Sequence, residues 1–238
     1  MLSTTTPATS NQDMHRDVTD NLLPTIALLD ACRRAAVKRM VFISSGGTIY
    51  GPDAVVPTPE TAPNEPISSY GIVKLAIEKY MHLYEREGGS KAFSLRVANP
   101  FGPMQDAGKG QGVIAAFARR MQDGDRLTIF GDGSVRRDFI FVDDVVDSIE
   151  AVLRYEGEER IFNIGSGVGR SITEIISTLE TAMGKAALVQ REPARAVDVP
   201  ASVLSIDRAK AELGWAPHTS WQDGVRLTVD WVMRSHVA

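Results

Sequence analysis

The sequence predicts an α/β protein whose parallel sheet is covered by helices. In its first hundred residues, helical segments alternate with strand-like segments at 40–43 and 93–97, and the segment at 40–43 is apolar throughout. Continuous apolar runs are typical of strands buried on both faces, as in parallel sheets. The chain has 238 residues, of which 43% are hydrophobic and 24% are charged, so it is large enough for a substantial core.

Charge and cysteine content narrow the classes of function. Lysine and arginine total 26 against 30 acidic residues, a net charge of −4, which disfavours nucleic acid as a partner. The single cysteine, Cys32, cannot form an internal disulfide, and no Cys/His spacing predicts a metal site. The first fifteen residues lack Lys, Arg and an apolar segment, and no stretch is long enough to cross a membrane. We therefore expect a cytoplasmic protein with no membrane partner.

The elements of the first half follow from apolar spacing and turn residues. Apolar residues at helical spacing predict the first helix, five prolines mark the long connection, and Gly88-Gly89 ends the second helix. The predicted order is a loop over 1–12, a helix over 17–36, a strand over 40–43, a connection over 52–68, a helix over 70–87 and a strand over 93–97.

The second half mixes short strands with more helices. The predicted order is a helix over 110–122, strands over 126–130 and 139–142, a helix from 143 to about 153, a strand over 160–164, and helices over 171–183, 208–213 and 221–234. Asp143 and Asp144 are predicted to cap their helix. Trp215 and Trp231 are predicted to be core aromatics.

The sharpest local pattern is the segment Tyr70-Gly71-Ile72-Val73-Lys74. A tyrosine and a lysine four residues apart share one face of a helix. Because a nearby ammonium favours the phenolate, Lys74 is predicted to lower the pKa of Tyr70 and make it a general base. Two residues alone match by chance often enough that the pattern needs support from elsewhere.

Two hydroxyls at the end of the preceding strand supply that support. Ser44 and Ser45 follow the apolar run at 40–43, and ligands of open α/β sheets bind outside the carboxyl ends of the strands. A hydroxyl there can hydrogen-bond the substrate group that the tyrosine deprotonates. The alternative interpretation is that the serines and the following glycines form only a strand-to-loop turn.

Several segments in a fixed order carry a resemblance to a known family. They are Met40–Gly51 (MVFISSGGTIYG), Tyr70–Lys74 (YGIVK), Arg96–Pro103 (RVANPFGP), Phe130–Gly133, Arg137–Phe139, Val142–Asp144, Phe162–Gly165 and Leu213–Trp215. Together they resemble the extended short-chain dehydrogenase/reductases, within these the NAD-dependent nucleotide-sugar epimerase/dehydratase family, and most closely its UDP-glucose 4-epimerases. The resemblance runs from about residue 17 to the C-terminus.

The resemblance implies a Rossmann-like NAD-binding domain and a smaller C-terminal α/β substrate-binding domain. Residues 1–100 would be the remaining part of the NAD-binding domain, to which 139–167 return, whereas 101–138 and 168–238 would form mainly the substrate-binding domain. No segment matches the family's first strands and glycine-rich loop, so the sheet is expected to be N-terminally truncated. We accordingly expect the chain to bind NAD weakly and to be prone to aggregation.

The activity that the resemblance implies is epimerisation at C4 of a nucleotide sugar through a 4-keto intermediate. The substrates would be UDP-glucose and UDP-galactose or their N-acetylated forms. Tyr70 would be the base, and Lys74 would lower its pKa and hold the nicotinamide ribose. Ser45 would hydrogen-bond the 4-hydroxyl, with Thr48 as a substitute, because Gly46 stands where the family often has Ser or Thr.

The remaining contacts are also implied by the resemblance. The implied cofactor-binding residues are Lys74, Tyr70, Ser44, Asn21, Val97 and Pro100. The implied substrate-binding residues are Asn99, Gln111, Thr128, Phe130, Arg137, Arg195, Asp198 and Ser202. Forked arginine donors suit a diphosphate, and the small Ser202 would leave room for an N-acetyl group beside C2.

Several alternatives remain open. Dehydratases and decarboxylases of the family carry acidic residues where this chain has Gly47 and Thr48, which favours an epimerase over those activities. A catalytically inactive remnant that binds nucleotide sugar, or pairs with a full-length relative, is the alternative from a different class. The helices over 19–36 and 70–87 would form a four-helix bundle in a homodimer.

Overall fold

The computed structural model describes residues 4–105, 112–194 and 199–235. These residues form two compact units, one with a parallel sheet and one with a mixed sheet. The longer elements are, in chain order, α1 (Met14–Asp17), a π-helical turn (Val18–Leu22), α2 (Leu23–Arg34), β1 (Arg39–Ser45), α3 (Ser69–Arg86), β2 (Lys91–Val97), β3 (Asn99–Phe101), α4 (Val113–Asp123), β4 (Arg126–Phe130), β5 (Arg136–Phe141), α5 (Val142–Arg154), β6 (Ile161–Ile164), β7 (Gly169–Ser171), α6 (Ile172–Met183), β8 (Leu188–Glu192), β9 (Ala201–Ser202), α7 (Asp207–Leu213) and α8 (Trp221–Arg234).

The first unit contains the predicted parallel sheet, which is confirmed. Its residues fall within 1–97, 147–164 and 204–215. The strands lie in the order β1-β2-β6, and both pairings are parallel. Ser45 pairs with Val97 and Val97 with Ile164, so the carboxyl ends of all three strands lie at one edge. This is the edge at which open α/β sheets bind ligands.

Helix α3 packs on this sheet through its apolar face. Side chains three to four residues apart point to the same side, and a buried cluster joins them to β1, β2 and α2. Burying each large apolar side chain stabilises the fold by about 1.5–3 kcal/mol. The cluster consists of Leu29, Phe42, Val73, Ile77, Met81 and Ala92.

A buried ion pair also connects α3 to the sheet. Arg96 Nη2 lies 2.7 Å from Glu78 Oε2, and the two side chains are 1% and 3% exposed. The Ser44 hydroxyl donates to Glu78 Oε1 at 2.6 Å, and the Arg96 guanidinium lies 4.8 Å from the ring centroid of Tyr50. Because buried charges are costly unless paired, this network holds α3, β1 and β2 in one arrangement.

The predicted helix over 17–36 is interrupted. Asp13 caps α1 by accepting from the Arg16 N–H at 2.9 Å, so the helix begins earlier than predicted. The π-helical turn separates α1 from α2, and Pro24 lies in the first turn of α2, where its missing N–H is tolerated. Apolar spacing continues through such a turn, so the sequence does not reveal it.

The second unit comprises the described residues within 98–146, 165–203 and 216–238. Strands β3, β5 and β7 lie in that order, with β9 also beside β5, and β5 is antiparallel to β7. Strands β4 and β8 form a separate parallel pair. An apolar core joins α4, α6 and α8 to these strands, and its largest buried members are Phe101, Ile114, Met121, Leu127, Phe139, Phe141, Ile175 and Leu179.

The boundaries of these units differ from the predicted ones: the first unit ends at Val97 rather than at 100, and the segment that returns to it ends at Ile164 rather than at 167. The segment that joins the first unit starts at 147 rather than 139, and residues 204–215 belong to the first unit as well. Asp143 and Asp144 lie inside the first turn of α5 and do not cap it, because the helix follows β5 directly. Asp144 instead accepts backbone hydrogen bonds from His218 at 3.0 Å and Thr219 at 3.3 Å.

Most predicted helices and strands are present, with ends that differ by a few residues. The sequence analysis missed β3, β7, β8 and β9, because strands of two to five residues show no clear alternation. Trp215 is buried and Trp231 packs against the core of the second unit, as predicted. Within the described residues, no helix combines the length and the apolar character needed to cross a bilayer.

Replacing Glu78 tests the importance of the buried pair. Glu78→Gln leaves the Arg96 charge buried without its carboxylate, so we expect the free energy of unfolding in urea to fall by about 3–5 kcal/mol. Arg16→Ala is the control, because it removes an exposed ion pair with Asp20 and should change stability by less than about 0.5 kcal/mol. Equal effects of the two substitutions would contradict this account.

Candidate active site

Tyr70 and Lys74 lie in the first two turns of α3, at the carboxyl end of β1. The helix begins at Ser69, and the Ser68 hydroxyl caps it by accepting from the Gly71 N–H at 3.2 Å. The Lys74 ammonium lies 5.5 Å from the ring centroid of Tyr70 and donates to the Ile43 carbonyl at 2.9 Å. The structure therefore brings the predicted pair together and fixes the lysine on the strand.

The electrostatics of this pair differ from the prediction. Burial, followed by the charge of Asp17, raises the pKa of Tyr70 above its ordinary value. Burial also lowers the pKa of Lys74 to about 8, although Glu78 and Asp17 act in the opposite direction. The net shift of Tyr70 is therefore opposite to the predicted lowering, because burial and the charge of Asp17 both disfavour the phenolate.

The loop after β1 packs directly on the start of α3. A Cβ atom at Gly71 would lie 2.6 Å from the Thr48 carbonyl oxygen, so only glycine allows this close approach. The Thr48 hydroxyl is buried and has no hydrogen-bond partner among the residues that the structure describes. Thr48 is thus held beside Tyr70-Gly71 with an unused polar atom, which is unusual for a purely structural residue.

The strand-end serines have different surroundings. Ser45 is half-buried at the last position of β1, next to Gly46, whose N–H donates to the Val97 carbonyl at 2.9 Å. Ser44 is buried, and its hydroxyl is committed to Glu78. The Ser45 hydroxyl thus has no hydrogen-bond partner among the described residues, whereas the side chain of Ser44 belongs to the buried network.

A second buried polar cluster adjoins the start of α3, and the sequence analysis identified only one of its members. Asn21 donates to Asp17 at 2.9 Å, and its side chain also contacts Thr4 and Thr5. The Ser69 hydroxyl donates to Asp17 at 2.6 Å. Asp17 is 1% exposed, and its position on a predicted amphipathic helix gave no sign of burial.

The predicted site residues are divided between the two units. The first unit holds Tyr70, Lys74, Ser44, Ser45, Thr48, Asn21 and Val97, and the second holds Asn99, Pro100, Thr128, Phe130, Arg137 and Ser202. The side chain of Val97 is buried in the sheet, whereas Pro100 is exposed on β3. Gln111, Arg195 and Asp198 lie outside the described residues.

Within the second unit, some of the predicted substrate residues are neighbours. Arg137 and Ser202 are register partners on β5 and β9, and Arg137 donates to the Val199 carbonyl at 2.7 Å. Asn99, on β3, donates to the Asp138 carbonyl at 2.8 Å, next to Arg137 in sequence. Thr128 and Phe130 lie apart on the β4–β8 pair. The geometry thus groups Asn99, Arg137 and Ser202 on one sheet.

The fold and the site together define a class of protein. A parallel sheet with a tyrosine, a lysine and the hydroxyls of Ser45 and Thr48 near the carboxyl end of a strand is the arrangement at which open α/β proteins bind ligands. Residues 2–165 match the model of the NAD dependent epimerase/dehydratase family. The chain belongs to the NAD-dependent epimerase/dehydratase family, which confirms the predicted resemblance and identifies NAD as the cofactor of its family.

Individual proteins agree with this assignment. The chain is 36% identical over 214 residues to the UDP-glucose 4-epimerase of Mycolicibacterium smegmatis, covering 90% of this chain and 68% of that protein. It superposes on UDP-glucose 4-epimerase with UDP-glucose from Thermotoga maritima with a TM-score of 0.94 and 37% identity, covering 100% of this chain and 77% of that one. For Thermus thermophilus UDP-glucose 4-epimerase in complex with NAD, the TM-score is 0.89 at 37% identity, with 98% and 76% covered.

Gly71→Ala tests whether the loop of Thr48 depends on the missing side chain. The new Cβ would lie 2.6 Å from the Thr48 oxygen and 2.9 Å from Pro66 Cβ, so we expect a loss of about 1–3 kcal/mol of unfolding free energy. Gly47→Ala is the matched control, because nothing lies within 4 Å of its Cβ position. A Gly71→Ala protein as stable in urea as Gly47→Ala would show that the close approach is unimportant.

Proposed function

We propose that the chain performs NAD-dependent epimerisation at C4 of a UDP-hexose. The observation that carries this proposal is the Tyr70–Lys74 pair at the carboxyl end of β1. Beside it lies the Thr48 hydroxyl, which has no hydrogen-bond partner among the described residues. The similarity to UDP-glucose 4-epimerases over nearly the whole chain supports the same reaction. The substrates would be UDP-glucose and UDP-galactose, or their N-acetylated forms.

Two residues of the first unit would contact a bound NAD. Lys74 places an ammonium at the sheet edge, where it can bind ribose hydroxyls, and Asn21 lies in the cluster at the start of α3. NAD would supply the redox chemistry, accepting a hydride from C4 of the sugar and returning it to the opposite face. Its positively charged nicotinamide would favour the phenolate of Tyr70 and so oppose the effect of burial on the pKa of this residue.

The proton steps belong to this chain's own side chains. Tyr70 would accept the proton of the sugar 4-hydroxyl as the C4–H bond breaks, and would return it to the same oxygen on reduction. Ser45 and Thr48 are the hydroxyls available to donate a hydrogen bond to that oxygen. The half-buried position of Tyr70 excludes part of the solvent, which strengthens these interactions.

Substrate binding would fall to residues of the second unit. Arg137 offers a guanidinium suited to a diphosphate, and Asn99 offers an amide on the neighbouring strand of the same sheet. Ser202, the register partner of Arg137, is small, so we propose that an N-acetyl group at C2 of the sugar is admitted. Thr128 and Phe130 on β4 are the proposed contacts for uracil.

The acid/base inventory favours epimerisation over dehydration or decarboxylation. Those reactions need an additional acidic group near the sugar, but the loop after β1 carries Gly47 and Thr48 instead. Gly47 has open space around its Cβ position, and Thr48 contributes only a hydroxyl. A single tyrosine with an adjacent hydroxyl is sufficient to remove and return one proton.

Tyr70→Phe tests this assignment. In an assay of the chain with excess NAD and each of UDP-glucose, UDP-galactose, UDP-GlcNAc and UDP-glucuronate, we expect kcat to fall about 10²–10⁴-fold for the accepted substrates, because the proton acceptor is lost. Tyr80→Phe is the control, since Tyr80 lies on the exposed side of the same helix and should keep its activity. Product is separated and quantified by anion-exchange chromatography.

Two results of this assay would count against the proposal. Conversion of none of the four nucleotide sugars by the wild-type chain would contradict an epimerase and favour a remnant that only binds them. A Tyr70→Phe protein as active as Tyr80→Phe would show that the base is a different residue. Rejection of UDP-GlcNAc alongside turnover of UDP-glucose would refute the role proposed for Ser202 only.

We also propose that the chain forms a homodimer through α2 and α3. Both helices present large apolar side chains to solvent, including Leu23 and Leu28 on α2 and Ile72 and Leu83 on α3. Ile72 and Leu83 are three helical turns apart and so share one face. Exposed apolar side chains concentrated on two adjacent helices are typical of a protein interface.

Leu83→Glu tests the interface without touching the active site. A buried, unpaired charge in the interface should weaken the dimer at least about tenfold, measured as the dissociation constant in sedimentation velocity. Val55→Glu, on the connection between β1 and α3, is the control, because Val55 is also exposed but lies outside the helices. An unchanged dissociation constant for Leu83→Glu would refute this interface.

A further inference from the structure

Asp17 is a fully buried carboxylate at the end of α1. Three side chains donate hydrogen bonds to it: Thr5 through its hydroxyl, Asn21 through its amide at 2.9 Å, and Ser69 through its hydroxyl at 2.6 Å. Ser69 is the first residue of α3, next to Tyr70. These bonds fix the carboxylate at the start of the helix that carries the catalytic pair.

Among the residues that the structure describes, the charge of Asp17 has no direct cationic partner. Within residues 4–105, 112–194 and 199–235, no lysine or arginine forms an ion pair with Asp17, and its contacts are neutral donors. Glu78, a buried carboxylate on α3, differs from Asp17 because it has a cationic partner, Arg96, at 2.7 Å. A buried charge that only neutral groups solvate retains a strong field at short range, since the surroundings screen it weakly.

That field acts on the Tyr70–Lys74 pair. The negative charge of Asp17 raises the pKa of Tyr70 in addition to burial, and it opposes the burial that lowers the pKa of Lys74 to about 8. Glu78, on the same helix as Lys74 and paired with Arg96 on β2, acts in the same direction and is the larger of the two opposing charges. On β1, the groups that face the Lys74 ammonium are the Ile43 carbonyl and the Phe42 ring.

We infer that Asp17 is a positioning residue for the catalytic pair: held at the start of α3 by Ser69, its buried charge keeps Lys74 in the ammonium form. This inference rests on the proposed function for the use of the ammonium, which is to bind the cofactor ribose. The effect of Asp17 on the protonation of Lys74 is a property of the folded chain and is measurable without substrate or cofactor.

The direction in which the pKa of Lys74 moves when Asp17 is replaced distinguishes a role of the charge from a merely structural role. Removing the charge while the fold is intact leaves burial less opposed, so the pKa of Lys74 moves further down from about 8. Loosening the structure exposes Lys74 to water and moves its pKa up towards the ordinary value of 10.5. The two explanations therefore predict opposite shifts for the same substitution.

The experiment is an NMR titration of the whole chain labelled with ¹³C-lysine. The Lys74 Cε resonance is assigned by its loss in Lys74→Arg and is followed against pH in wild type, Asp17→Asn and Ser69→Ala. We expect the titration midpoint of Lys74 to fall by at least about half a pH unit in Asp17→Asn. Ser69→Ala is the matched control, because it removes one hydrogen bond to Asp17 and leaves the charge; its midpoint should move by less than half as much.

An unchanged or higher midpoint in Asp17→Asn would overturn the inference, as would an equal fall in Ser69→Ala. Circular dichroism verifies that each variant is folded. Asp17→Ser, which removes the charge with a smaller side chain, gives the same test if Asp17→Asn does not fold. Because the titration uses neither NAD nor nucleotide sugar, its failure is distinguishable from failure of the proposed epimerase activity.

Discussion

The first two turns of α3 lie against the carboxyl end of β1, and every candidate catalytic group of the first unit depends on that contact. Lys74 reaches the Ile43 carbonyl, and Gly71 lets the Thr48 backbone approach the helix without a side chain between them. Glu78, one turn after Lys74, bonds to Ser44 and Arg96 on the two adjacent strands. Apolar packing alone would let the helix shift, whereas these polar bonds specify its register on the sheet.

The same contact places several charges in a weakly screened region. Burial opposes the ionised forms of both Tyr70 and Lys74, so the neutral phenol and a readily deprotonated lysine are the tendencies of the isolated pair. The charges of Glu78 and Asp17 oppose the deprotonation of Lys74. Carboxylates on different elements thus favour the charged form of Lys74, whereas Asp17 adds to burial in disfavouring the phenolate of Tyr70. A positively charged ligand beside the pair would shift Tyr70 towards the phenolate.

The fold class and much of the site were predictable from the sequence. Strand-like segments alternating with helices predicted the parallel sheet, and the spacing of Tyr70 and Lys74 predicted a shared helix face. The burial of Asp17 was not predictable, because its hydrogen-bond donors include Thr5 and Ser69, which are distant from it in sequence. The hydrogen bond from Lys74 to the Ile43 carbonyl was also not predicted. Spacing on a helix does not determine whether an ammonium bonds to its helical neighbour or to a strand carbonyl.

In the proposed reaction, the Tyr70–Lys74 site exchanges one proton at the sugar oxygen while hydrogen leaves C4 and returns to it. The most direct test converts UDP-galactose carrying deuterium at C4, with NAD and the whole chain in ordinary water, and locates the label in the product by NMR. We predict UDP-glucose with the deuterium retained at C4, because the hydride returns to the carbon it left and the tyrosine proton never reaches that carbon. Product with solvent hydrogen at C4 would contradict the account, because C4 would then have been deprotonated directly.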